Sequence, residues 1–154
     1  MREPWTPWVW LLGRILLAHI FLLSGLMKVL NWSKTAEAMA GEGMQAVPFF
    51  LAAAILVELT GGLSILLGYK ARLGALSLAL YLIPVTLVFH HFWTYQGPAM
   101  ENQLQHFLKN LTIMGGLGTL VAVGAGAFSF DAHDTRGRRA NNWGFDPGTQ
   151  PVLR

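Results

Sequence analysis

Apolar positions in this chain gather into long unbroken runs instead of alternating with polar ones. Four windows reach the ~20 residues needed to cross a bilayer. They run roughly from Trp8 to Leu30, Val47 to Leu67, Leu73 to Trp93 and Phe107 to Phe128. The pattern predicts an all-α, membrane-embedded antiparallel four-helix bundle over residues 1–131, followed by a polar cytoplasmic tail over 132–154. The first window has a longer apolar core than the 7–15 residues of a cleaved signal, so it is expected to stay as an anchor.

The connections follow from local punctuation. Gly68 to Arg72 is a tight turn, so the second and third spans are expected to form an antiparallel hairpin, and Pro84 is expected to kink the third. Ser33 to Met44 reads as a short amphipathic helix capped by Ser33 and broken by Gly41 and Gly43. In the fourth span Gly118, Ala122 and Gly126 recur every four residues, a face that lets a neighbouring helix approach closely. Trp5, Trp8 and Trp10 at one end of the first span and Trp32 at the other suit the two interfacial aromatic belts.

Composition supports the membrane reading. The chain is 53% hydrophobic, 12% charged and has a mean hydropathy of +0.44, far from the roughly one-quarter charged residues of a soluble domain. It has no cysteine, which excludes disulfides, thiolate metal sites and a thiol relay of its own. The basic residues flank apolar spans and form no groove, which points away from nucleic acid and towards the lipid bilayer. Arg2, Lys70, Arg72, Arg136, Arg138, Arg139 and Arg154 fall on one face, and Lys28, Lys34 and Lys109 on the other. The positive-inside rule then places both termini in the cytoplasm.

The polar residues inside the spans carry the candidate chemistry. Glu58 lies mid-span, where a charge costs at least ~2.5 kcal/mol and calls for a partner. Arg14, Ala18, Phe21, Gly25 and Lys28 form one helical stripe. At 1.5 Å per residue Arg14 and Glu58 sit roughly 9 and 15 Å from the same end, a gap that an arginine side chain covers. Arg14 is therefore the expected partner of Glu58, either as a packing device or as the lining of a site.

A second set, Lys28, His90, His91, His106, Lys109 and Asn110, gathers near the opposite end of the spans. No metal is assigned there. His90 and His91 point about 100° apart on a helix and cannot face one ion together. Haem is disfavoured as well, since His19 lies mid-bilayer and the other histidines are shallow.

Taken together, the chain resembles the DoxX family of small four-helix membrane proteins. The residues that carry the resemblance are Arg14 with Ser24-Gly25-x-x-Lys28, Glu58-x-x-Gly61-Gly62 followed by Gly68 and Arg72, and Lys109-Asn110-Leu111 running into Gly115-Gly116. The resemblance covers about residues 8–131. It implies a bacterial inner-membrane protein related to the membrane subunits of thiosulfate:quinone oxidoreductase, with a polar core that exchanges electrons or protons with quinone.

In that reading Glu58 or His90 exchanges a proton with a quinone headgroup, and Arg14 and Lys28 stabilise negative charge. Lys109 and Asn110 complete the quinone or anion site. Without a flavin, haem or iron–sulfur motif, electron transfer would need a bound cofactor or a partner oxidoreductase subunit. The alternative is a non-catalytic interaction module that anchors or stabilises such a partner, or a second copy of itself, through its glycine-rich fourth span.

Overall fold

The computed structural model describes residues 4–133. Arg2 and residues 134–154 of the expected cytoplasmic tail, with Arg136, Arg138, Arg139 and Arg154, lie outside them. The described chain is helical: α1 (Thr6–Leu30), α2 (Trp32–Gly41), α3 (Val47–Leu67), α4 (Ala71–Phe89), a 3-10 turn (Phe92–Thr94) and α5 (Gly97–Val123). Proline occupies the first turn of α1, α3 and α5, where its missing N–H has no intrahelical acceptor to lose.

Three helices, α1, α3 and α4 with its following turn, are long and apolar enough to cross a membrane. The fourth window differs from its expected form. Its helix starts earlier, at Gly97, carries Glu101, His106, Lys109 and Asn110 in its first half, and ends at Val123 where Gly124 takes φ 85°. Gly126 is therefore not part of a helical small-residue face. It lies in the segment that folds back, against Trp10. Ser33 is also not a cap, because α2 begins at Trp32 after Asn31.

α3 ends on Gly68 at φ 67°, with Gly68 N–H donating to Ile65 O and Tyr69 N–H to Ser64 O. This closure satisfies the last carbonyls of the helix and needs the left-handed residue that glycine supplies. The chain then reverses: Gly61 lies against Leu78 and Gly74 against Ser64, so α3 and α4 form the expected hairpin. α1 runs opposite to α3, with Gly25 against Leu59, Leu22 against Gly62 and Arg14 against Gly68. α5 packs along α4, and Leu117 and Leu120 join Ala18, Phe21, Ile65, Ala75, Leu78 and Leu82 in the core. Large apolar side chains such as Leu12, Leu16, Leu23, Leu56, Leu80 and Leu87 face outward, as a lipid-facing surface requires.

Between α1 and α5 an apolar groove of about 310 Å³ remains, lined by Val9, Trp10, Gly13, Arg14, Leu17, Gly116, Thr119 and Leu120. The segment after α5 closes the Gly68 end of the helices. Asp131 N–H donates to Gly68 O, while its carboxylate accepts from Lys70 N–H at 2.7 Å and Ala71 N–H at 3.0 Å. A carboxylate on the first amides of α4 both caps the helix and complements its dipole.

Candidate functional site

The site is built from the stripe on α1 and the turn symmetry of α3 and α4. Gly25 lets α3 close in: a Cβ there would stand 2.8 Å from Leu59 Cδ2 and 3.4 Å from Glu58 Cβ. Ser24 and Lys28, one turn apart, are thereby brought to the Glu58 carboxylate. On the other side the hairpin pairs Gly61 with Leu78 and, one turn further, Glu58 with Tyr81.

Glu58 is 4% exposed and its carboxylate is well supplied with donors. Lys28 Nζ donates to Oε1 and Oε2, both at 2.9 Å. Ser24 Oγ donates to Oε1 at 3.2 Å and Tyr81 Oη at 2.9 Å, while Lys28 Nζ also donates to Ser24 Oγ at 2.6 Å. Three helices thus meet on one carboxylate. Donors from an ammonium and two hydroxyls offset the desolvation of a charge that hydrocarbon would otherwise reject. Lys28 keeps 22% of its side chain exposed, so the network is reachable from the α2 end.

The expected Arg14–Glu58 pair is not formed. Arg14 is 2% exposed and donates from Nη1 to Ala125 O at 3.1 Å and from Nη2 to Phe128 O at 2.6 Å. Its guanidinium lies directly against Gly68. The segment beyond α5 folds back over this end and presents carbonyls closer to Arg14 than the mid-span carboxylate, with Asp131 adding electrostatic attraction. Lys28, at the opposite end of the same stripe, takes the carboxylate instead.

The six residues expected to share one quinone or anion site are therefore divided among separate places. Arg14 belongs to the Gly68 end, and Lys28 with Glu58 to the middle. Asn110 is buried and donates to Thr86 Oγ1 at 3.0 Å. His90 and Lys109 meet near His106: the His90 and His106 rings stack at 5.1 Å, Lys109 Nζ lies 3.0 Å from His106 Nδ1, and His90 Nδ1 lies 2.9 Å from Gln103 Oε1. His91 turns away, with Nδ1 2.8 Å from Val88 O and Nε2 3.8 Å from Glu42.

His106, just ahead of the apolar part of α5, is held below the ordinary histidine range by burial, then by the charges of Lys109 and His90. His19 Nδ1 lies 2.6 Å from Leu16 O and stays exposed. Among the described residues no three His, Asp or Glu side chains are placed to hold a metal ion.

Tyr81 is the residue that sequence reasoning missed. The signal was present, since counting outward from the Gly68 to Arg72 turn places Tyr81 opposite Glu58. Ser24 was visible only as part of the Ser24-Gly25-x-x-Lys28 pattern.

A family model described as DoxX matches residues 9–91, which hold the whole Ser24, Lys28, Glu58 and Tyr81 network. The chain belongs to the DoxX family. It is 37% identical over 121 residues to the inner membrane protein YqjF of Escherichia coli (strain K12), covering 79% of this chain and 88% of that one. The Escherichia coli (strain K12) inner membrane protein YphA is 29% identical over 125 residues, covering 81% and 89%.

A Drosophila melanogaster surfeit locus protein 4 homolog is 29% identical over 125 residues, 80% of this chain but 40% of that protein. No solved structure matches the chain significantly. The DoxX match and the three apolar helices make this an integral membrane protein.

Proposed function

We propose that this DoxX member crosses the bacterial inner membrane four times as an antiparallel bundle, the apolar part of α5 from Phe107 onward being the fourth span. In this reading it is the membrane subunit of a partner oxidoreductase, and Glu58 exchanges a proton with a quinone headgroup. The observation that carries the reading is the Glu58 carboxylate, buried yet joined through Lys28 to the accessible α2 end.

A quinone carbonyl needs a donor, and Lys28, the partly exposed member of the network, would turn towards it one of the N–H groups now given to Ser24 and Glu58. Glu58 takes up the proton and passes it on, Tyr81 and Ser24 fix its Oε1, and Lys28 compensates its charge when the proton leaves. Electrons come from the partner subunit or its cofactor. Lys70 and Arg72 at the Gly68 end, with the basic residues of both terminal segments, favour a cytoplasmic placement for that end.

A second reading, an interaction module without catalysis, draws on α5. Gly115 and Gly118 are exposed there, with open space where a Cβ would stand, which suits a close-packed neighbouring helix.

The test is to purify the wild type and Glu58→Gln in mild detergent, extract bound quinone and compare it with protein. Quinone near one per chain in the wild type, lost in Glu58→Gln that still purifies as a folded, monodisperse protein, supports the first reading. No quinone in either leaves the interaction module.

A further inference from the structure

At the α2 end a group of donors stands without a counter-ion among the described residues, independently of the Glu58 network. Lys109 Nζ lies 3.0 Å from His106 Nδ1, and an ammonium can only donate, so His106 accepts there and carries its proton on Nε2. His90 Nδ1 lies 2.9 Å from Gln103 Oε1, where it donates to the amide oxygen. The two rings stack at 5.1 Å. A second positive charge in this stack would therefore be costly unless an anion compensated it.

The nearby carboxylates do not fill that role. Glu42 is engaged 3.8 Å from His91, and Glu101 is exposed on α5 with no ion pair among the described residues. Beside the cluster, Phe92, Trp93 and Phe107 pack edge to face at 5.3 to 6.3 Å. Trp93, and Tyr95 just beyond it, are of the residue types that gather at the depth of lipid headgroups.

We infer that Lys109 and His106, backed by His90 and Gln103, form a phosphate-binding site at the membrane interface, taking either the phosphodiester of an anionic lipid or a free phosphate. The ammonium and the imidazole N–H supply charge-assisted hydrogen bonds to phosphate oxygens. Burial first, and then the charges of Lys109 and His90, hold the protonation of His106 down, and a bound anion would relieve the charge part.

The experiment follows the imidazole signals of His106 by NMR during pH titration of the full-length protein in a maltoside detergent and phosphate-free buffer. Inorganic phosphate and short-chain phosphatidylglycerol are added in separate arms, for the wild type and Lys109→Gln. A rise of the His106 midpoint by about one unit in either arm, lost in Lys109→Gln, is expected, and the arm that responds names the source. No rise in either arm, or an equal rise in Lys109→Gln, would overturn the site. Lys109 is exposed, so its substitution leaves the packing intact.

Discussion

The Lys28 ammonium stands 2.9 Å from both carboxylate oxygens of Glu58, across the contact between α1 and α3. Removing the cation strands a buried charge, which costs about 3 kcal/mol. Lys28→Ala is therefore expected to destabilise the protein strongly, and Lys28→Ala with Glu58→Gln to recover part of the loss. A denaturation cycle should show a coupling of about 1 kcal/mol or more; additive effects would exclude the pairing.

Arg14 works at the other end and on different partners. Arg14→Ala removes two charge-assisted hydrogen bonds to Ala125 O and Phe128 O and is expected to cost about 2 kcal/mol. Because none of its partners is shared with Glu58, the loss should add to that of Glu58→Gln within about 0.5 kcal/mol. A larger coupling in thermal melts would return Arg14 to the carboxylate.

Two glycines should answer alanine with opposite signs. Gly68 has φ 67° and lies against the Arg14 guanidinium and Ser129, so Gly68→Ala meets the left-handed penalty of about 1–2 kcal/mol and a collision besides. Gly118 is helical, exposed and open, so Gly118→Ala should gain up to about 1 kcal/mol. Melting temperatures of the two variants decide the matter, and equal shifts would refute the packing around Gly68.

Asp131 caps α4 from 60 residues away in sequence. Asp131→Ala should cost about 1 kcal/mol and speed hydrogen exchange at the Lys70 and Ala71 amides. Unchanged exchange there would show that the folded-back segment does not hold the helix end.

Stability should also depend on pH through His106. Its protonation is depressed in the folded chain by burial and by Lys109 and His90, so the unfolded chain binds more protons as pH falls below the free value of about 6.5. The stabilisation is present above that pH and is lost as pH falls through the folded value. Melting temperature should drop more steeply on acidification in the wild type than in His106→Gln, and parallel curves would refute the assignment.

The runs of apolar residues determined the helices, and their 3.6-residue period picked out the buried face of α1. Arg14, Ala18, Phe21 and Gly25 are its buried residues. The short Gly68 to Arg72 turn settled how α3 and α4 pair, because a tight reversal leaves little freedom of register.

The sequence pattern assigned Arg14 to Glu58, and the fold pairs Lys28 with it instead. Depth along a helix is set by the rise per residue, but two cations on one stripe both lay within reach of that carboxylate. Tertiary structure decided between them: the chain after Val123 turns back and offers its carbonyls to Arg14, while Gly25 lets α3 close against Lys28. The division of the remaining polar residues has the same cause. His90 with His106 and Asn110 with Thr86 are paired by how α5 lies along α4, a relation that no local pattern encodes.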